Sequence, residues 1–149
     1  DSWEVGMQNW TSGFEGEFCE RTGYDLIKYL PAMTGKIVGS KEMTERFLWD
    51  IRRVQADLLA DNYYGEFRNL CNQYGLVSYC EPYDRGPMEE LQIGSRVDGV
   101  MGEFWNGLSA IFQNNLMMRR TTKLASSIAH INGQKVVGSE ACTSEPESG

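Results

Sequence analysis

The chain has 149 residues, enough for one domain with a hydrophobic core, and its 41% hydrophobic and 23% charged residues are ordinary for a globular protein. The formal net charge is −7 and the basic residues are scattered, which argues against nucleic acid as a partner. The sequence contains no run of about 18 apolar residues, so no transmembrane helix is predicted.

The first half of the chain predicts one strand followed by helices. The segment Asp1–Thr11 is a short β-prone run, and Gly23–Leu30 predicts a short helix that Pro31 stops. The clearest helical pattern covers Thr44–Tyr74, with a division expected near Asn62–Gly65. The apolar residues that recur there at helical spacing are Phe47, Leu48, Ile51, Val54, Leu58, Leu59, Phe67, Leu70 and Cys71.

The second half alternates strands and helices. Strands are predicted within Leu76–Asp84, Asp98–Trp105 and Lys135–Ser144, because each apolar run is short and bounded by glycine, proline or aspartate. A helical turn is predicted over Pro87–Ile93, and a helix over Arg119–Asn132. For the latter helix, the N-cap is expected at Thr121 or Thr122, and the buried residues are expected to be Leu124, Ile128 and Ile131.

This order of elements is typical of parallel βαβ units. No glycine-rich phosphate-binding motif follows any predicted strand, so neither a dinucleotide-binding fold nor a P-loop is supported. The four cysteines, Cys19, Cys71, Cys80 and Cys142, form no CxxC pair, and the chain has a single histidine, which makes a zinc site improbable. Free thiols are favoured over a disulfide framework, with Cys80 and Cys142 expected to be buried.

The glutamates at the strand ends are the main candidates for chemistry. Glu4, Glu81, Glu103 and Glu140 each fall at or just past the end of a predicted strand, and the carboxyl ends of parallel strands build a common site. Converging acids repel one another unless protons, cations or substrate hydroxyls compensate. That pattern suits glycoside hydrolysis by paired carboxylates, and it also suits a calcium ion. Taken singly, each glutamate is better explained as a solvated loop residue; the position that all four share favours a site.

Aromatic side chains strengthen the case for a sugar ligand. Sugar rings stack on aromatic planes, while amides such as Gln8 and Asn9 can bond to hydroxyl groups. The alternative is that these aromatics pack the rim of the fold. The only histidine, His130, falls late in a predicted helix, so Ser-His-Asp and Cys-His arrangements lack their base. The aromatic residues near the acids are Trp3, Trp10, Tyr83, Phe104 and Trp105.

Several segments resemble one known family. The runs DSWEVGMQNWT, FCERTGYDLIKYLP, RFLWDIRRVQADLLADNYYGEF and VVGSEACTS, with the Glu81-Pro82-Tyr83 and Met101–Trp105 segments, resemble the catalytic region of bacterial α-L-rhamnosidases of glycoside hydrolase family 106. The resemblance covers essentially the whole chain.

The resemblance implies an α/β fold, namely a partial (β/α)8 TIM barrel that comprises about strands four to seven. It implies an inverting mechanism with Glu4 as general acid and Glu140 as general base, and calcium at Glu103. It stays open whether Glu103 rather than Glu140 is the general base. The implied partner is a rhamnose-containing glycan. The implied substrate contacts are Asn9, Trp10, Glu81, Tyr83 and Trp105.

Residues 1–149 are thus expected to be a fragment of a catalytic barrel domain, without the remaining barrel half and the accessory domains of the parent chain. An open parallel sheet exposes edges that a closed barrel hides, so the isolated fragment is expected to be inactive and prone to self-association. Two other functions remain open at this point. One is a related barrel glycosidase of the β-galactosidase or glucuronidase type with retaining chemistry, and the other is a carbohydrate-binding relic without catalysis.

Overall fold

A computed structural model describes residues 10–83, 86–105 and 115–143 of the chain. In this part of the chain, helices and strands alternate after a helical N-terminal region, and none of the described helices is both long and apolar enough to cross a bilayer. The elements in order are α1 (Phe14–Thr22), a 3-10 helix (Ile27–Thr34), α2 (Lys41–Leu59), a π-helical turn (Ala60–Gly65), α3 (Glu66–Gln73), β1 (Tyr79–Cys80), α4 (Glu90–Gly94), β2 (Gly99–Trp105), α5 (Asn115–Ile131) and β3 (Gly138–Thr143).

The helices that follow residue 13 differ from the predicted short helix. Helix α1 ends at Thr22, because Gly23 adopts a left-handed conformation with φ of 81° and its N–H bonds back to Cys19. The helix predicted over Gly23–Leu30 is therefore wrong, since a 3-10 helix begins at Ile27 and continues through Pro31. Proline fits there because the φ to which its ring is confined is also a 3-10 value.

An aromatic core holds the N-terminal helices together. Phe18 and Phe47 are fully buried, and their ring centroids lie 5.9 Å apart. Helix α2 begins where Ser40 accepts a hydrogen bond from the N–H of Met43, which is an ordinary N-cap. The full cluster consists of Phe14, Phe18, Leu26, Ala32, Phe47, Ile51 and Val54.

The long helix predicted over Thr44–Tyr74 is present, but a π-helical turn interrupts it. The division falls at Ala60–Gly65, and α3 continues directly after it. A π-helical turn contains more residues per turn than an α-helix, so it rotates the apolar stripe that follows. That rotation explains why Phe67 and Leu70 are exposed although their spacing matches the buried residues of α2.

The three described strands form a parallel sheet in the order β1-β2-β3. Parallel βαβ organisation is thereby confirmed. The strand predicted over Leu76–Asp84 is shorter than expected: only Tyr79 and Cys80 pair, with Gly99 and Val100 of β2. The predicted strand Asp1–Thr11 falls outside the described residues except for its last two positions, which are not strand.

Helix α5 covers one face of the sheet and builds the second core. Val100 of β2 packs there with Ala125, Ile128 and Ala129 of α5. The helix begins at Asn115, so the N-cap predicted at Thr121 or Thr122 is wrong; both lie within the helix.

Two further residues that were predicted to be buried are exposed. Ile131 is exposed because it is the last residue of α5, beyond the last residues that reach the core. All four cysteines are free thiols, as predicted, but Cys142 is exposed. Cys142 is the bulged residue of β3, whereas Cys80 on the other edge strand is buried beneath α5, and burial raises its pKa to about 12.

Asp98 joins the start of β2 to the segment before β1. Its carboxylate accepts hydrogen bonds from the N–H and hydroxyl of Ser78 and from Arg68 on α3, at 3.1, 2.9 and 2.7 Å. Burial alone would raise the pKa of Asp98, but these donors outweigh it and hold the pKa below its usual value. The contact aligns the two strands at their amino ends, and therefore also sets where their carboxyl ends lie.

Candidate active site

The glutamates of β2 and β3 lie on the sheet face that points away from α5. Val100 is buried against α5, and a Cβ on Gly102 would lie 2.8 Å from the Cα of Thr122 on that helix. Because side chains alternate along a strand, Glu103 points to the opposite face. Glu140 is its register partner on β3. The two acids thus occupy neighbouring strands, about 4.8 Å apart, on one open face.

A β-bulge follows these two acids. Phe104 pairs with Ala141, but Trp105 pairs with Thr143, so Cys142 is the extra residue. Its φ of 61° is the left-handed conformation that non-glycine residues seldom adopt. Bulges bend a strand and change the direction of its side chains. This one lies two residues after Glu140 and ends the regular pairing of β2 and β3 at the site.

Glu81 provides a buried carboxyl at the end of β1. Glu81 is 6% exposed. Its Oε1 atom is shielded from solvent and has no hydrogen-bond partner within the described part of the chain. Burial raises the pKa of Glu81; the nearby Tyr83 hydroxyl opposes part of this rise, and the charges of Glu103 and Glu140 add to it. Glu81 therefore keeps its proton to a higher pH than an ordinary glutamate and can act as a hydrogen-bond donor.

Tyr83 links the buried acid to the acid on β2. Its hydroxyl donates a hydrogen bond to Oε2 of Glu103 at 3.1 Å, and its ring is buried. Burial and the neighbouring carboxylates of Glu81 and Glu103 raise the pKa of Tyr83 well above its usual value. The phenol thus stays protonated and remains a donor.

Thr121 holds the backbone of Glu103 from the side of α5. Its hydroxyl accepts a hydrogen bond from the N–H of Glu103 at 3.1 Å and donates one to its carbonyl at 2.8 Å. Sequence reasoning assigned Thr121 a capping role and missed this one. Ala125 and Ile128 follow Thr121 by four and seven residues, so helical spacing would have predicted that Thr121 faces the sheet, though not which backbone groups it binds.

The structure brings together Glu81, Tyr83, Glu103 and Glu140, and the other predicted site residues are not joined to them. Trp10 is exposed, and its described contact is an edge-to-face one with Phe14 of α1. Trp105 ends β2, but its side chain lies outside the described part. The predicted acid Glu4 and the predicted contact Asn9 also lie outside the described residues, as do Trp3 and Gln8.

The described residues do not by themselves fit a calcium ion. Calcium takes about six to eight oxygen ligands. Within the part of the chain that the structure describes, no group of three or more His, Cys, Asp or Glu side chains is arranged to hold a metal. Calcium at Glu103 therefore stays a prediction, and no chemical step is assigned to it.

The arrangement has the groups that acid–base chemistry on a polyhydroxylated ligand requires. Glu81 supplies a carboxyl whose pKa is raised by burial, Tyr83 a hydroxyl donor, and Glu140 an exposed carboxyl one strand from Glu103. Acid–base pairs are found where two titratable groups lie in environments that shift their pKa values differently. Burial raises the pKa of Glu81 in this way.

Comparisons with known proteins identify a family of glycoside hydrolases. The model of glycoside hydrolase family 106, described as alpha-L-rhamnosidase, matches residues 1–148. A protein of Formosa agariphila named "Putative beta-glucuronidase" is 49% identical over 143 residues, which is 96% of this chain and 12% of that protein. The structure of a rhamnosidase from Novosphingobium sp. PP1Y is similar with a TM-score of 0.76 and 35% identity, over 93% of this chain and 13% of the rhamnosidase chain. This chain thus spans only a small part of either relative.

Proposed function

The chain belongs to glycoside hydrolase family 106, the alpha-L-rhamnosidases, and on that basis we propose that it is one segment of a catalytic (β/α)8 barrel that hydrolyses terminal α-L-rhamnosides. The segment spans 12% and 13% of the two relatives, so the remaining strands and the accessory domains belong to the longer enzyme in this proposal. The substrate is a rhamnose-containing glycan.

One observation carries the proposal: three glutamates meet on one face of a parallel sheet. Glu103 and Glu140 are register partners, and both charges act on the buried Glu81. If these three glutamates served only to hold the fold together, nothing would require them to lie where they repel one another. The repulsion lowers the stability of the folded chain unless a bound ligand or a proton compensates the charges. Sugar hydroxyls and a leaving oxygen that must be protonated are suitable compensating groups.

The two proposed catalytic roles rest on different grounds. Glu140 is exposed on the open face, which suits the general base that activates water. Glu4 is assigned as the general acid from the family resemblance alone. Glu81 and Tyr83 contact substrate hydroxyls as donors, together with Asn9, Trp10 and Trp105. Inversion requires the acid and the base to lie roughly 6.5–9.5 Å apart, which leaves room for the water.

The decisive experiment uses the full-length enzyme that carries this segment and a chromogenic α-L-rhamnoside. We expect Glu140→Gln and Glu4→Gln to lower kcat by about 10²–10⁴-fold while rhamnose binding, measured by calorimetry, persists. Glu20→Gln, an exposed glutamate of α1, is the matched control and should be fully active. Activity of Glu140→Gln close to that of the control would overturn the assigned base. An inactive wild-type enzyme that still binds rhamnose would indicate a binding relic.

The name of the Formosa agariphila relative favours a second candidate, a β-glucuronidase-type activity. A β-glucuronide assayed beside the α-L-rhamnoside separates the two substrates. Product stereochemistry, followed by proton NMR in the first minutes of reaction, separates the mechanisms. A single displacement inverts the anomeric configuration, whereas the two displacements of a retaining enzyme, whose carboxyls lie only about 5–5.5 Å apart, preserve it. A retained anomer would reject the inverting assignment.

A further inference from the structure

We propose that Thr121 is a positioning residue of this enzyme: its hydroxyl takes the place of a neighbouring strand and fixes the backbone from which Glu103 projects into the site. The inference rests on the proposed function only in that Glu103 belongs to the active site. It concerns a residue that does not face the substrate, since Thr121 lies on the helix side of the sheet and Glu103 points to the other face.

Strand β1 ends before the level of Glu103, so the Thr121 hydroxyl bonds to backbone groups that β1 does not reach. The N–H of Gly99 donates to the carbonyl of Ser78 at 3.0 Å, so the backbone groups of Gly99 point toward β1. Backbone groups alternate along a strand, and those of Glu103, four residues on, point the same way. Regular pairing with β1 stops at Cys80, opposite Val100.

The hydroxyl of Thr121 satisfies both groups at once. It accepts from the Glu103 N–H at 3.1 Å and donates to the Glu103 carbonyl at 2.8 Å. A strand neighbour in a parallel sheet would use one carbonyl and one N–H for the same purpose. Thr121 is 5% exposed, so water has little access to replace these bonds.

Gly102 of β2 allows α5 to lie close enough for the Thr121 hydroxyl to reach the backbone of Glu103. A Cβ on Gly102 would lie 2.8 Å from the Cα and 3.0 Å from the backbone nitrogen of Thr122. Backbone cannot yield as a flexible side chain can, so only glycine allows α5 to approach β2 this closely. A larger residue would push the helix away and carry the Thr121 hydroxyl out of reach of Glu103.

The carboxylate of Glu103 is held separately, by Tyr83 at 3.1 Å. The backbone is thus fixed from one side and the carboxylate from the other. Such double support reduces the motion of a site acid, and small displacements at a reacting centre are costly for rate. Loss of the Thr121 hydroxyl should therefore lower kcat more than it changes KM.

The test compares Thr121→Val, Thr121→Ser and the control Thr122→Val in the full-length enzyme. Valine keeps the shape and removes the hydroxyl, serine keeps the hydroxyl, and Thr122 is an exposed neighbour on the same helix. We expect Thr121→Val to lower kcat about tenfold or more with a KM within about twofold, as a loss near 1.4 kcal/mol would produce. Thr121→Ser should restore most of the rate, and Thr122→Val should match the wild type.

Amide hydrogen exchange provides a readout that does not depend on activity. Faster exchange of the Glu103 N–H in Thr121→Val, but not in Thr122→Val, is expected. The inference is overturned if Thr121→Val keeps the kcat of the control, if serine fails as valine does, or if exchange at Glu103 is unchanged. A wild-type enzyme inactive on glycosides rejects the proposed function alone, and exchange then decides the role of Thr121. Should Thr121→Val not fold, Thr121→Cys replaces it with the same readouts.

Discussion

Substitution of Tyr83 by phenylalanine tests how the candidate site is held together. The substitution removes one oxygen from a buried ring and therefore deletes the hydrogen bond to Oε2 of Glu103 with little change in packing. Because burial and the neighbouring carboxylates raise the pKa of Tyr83 well above its usual value, its hydroxyl keeps the proton that it donates in this bond. The expected effect is a loss of activity at all pH values rather than a shifted pH profile.

The size of the effect follows from the geometry. A hydrogen bond to a charged group contributes about 1.5–3 kcal/mol. The distance of 3.1 Å between Tyr83 Oη and Glu103 Oε2 is long for an O–H donor, and Glu103 is only half-buried, so the lower value applies. About 1.5 kcal/mol corresponds to roughly a tenfold loss in kcat/KM if the bond persists in the transition state.

The assay is initial-rate hydrolysis of a chromogenic α-L-rhamnoside by the full-length enzyme. Tyr74→Phe is the control, because Tyr74 follows α3 and is 75% exposed. A Tyr83→Phe enzyme within about twofold of this control would refute the inference that Tyr83 orients Glu103. A loss beyond about 10³-fold would also refute it, since one hydrogen bond cannot supply so much.

Three further substitutions probe the surroundings of the site. Because the pKa of Glu81 is raised in the folded state, the stability linked to its proton is present at low pH and lost as pH rises through that pKa; in melting curves, Glu81→Gln should therefore flatten the fall in Tm toward neutral pH. Asp98→Asn removes the ion pair with Arg68 and should speed amide exchange at Ser78, with a stability loss of about 1–3 kcal/mol. The side chain of Ile128 is fully buried between α5 and the sheet, so Ile128→Ala should lower the free energy of unfolding by about 2–5 kcal/mol in denaturant titrations.

Each of these three has a distinct contrary result. An unchanged pH profile of Tm in Glu81→Gln would show that the carboxyl is not perturbed by its neighbours. Unaltered exchange at Ser78 would mean that Asp98 does not hold the strand. A wild-type unfolding curve for Ile128→Ala would contradict its place in the core.

The sequence predicted the elements whose signals are local. Strand β2 and helix α2 were evident from period and bounding residues, and so was the parallel order of the strands. The predictions failed where a residue's environment depends on distant parts of the chain. Phe67 has the spacing of a buried residue but is exposed after the π-helical turn, and Thr121 resembles a cap but lies inside a helix that begins six residues earlier.

What the sequence by itself determined is that glutamates accompany the strands together with aromatic residues. The prediction that each glutamate ends its strand holds for Glu81, which directly follows β1, but is wrong for Glu103 and Glu140, which lie within β2 and β3. Only the tertiary structure decided that Glu81 is buried while Glu140 is exposed, that Tyr83 reaches Glu103, and that a helix hydroxyl completes the edge of β2. Residue type and spacing determine which groups a chain carries to a sheet edge. The pKa and orientation of those groups depend on the solvent, charges and donors around them, which come from segments brought near only by folding.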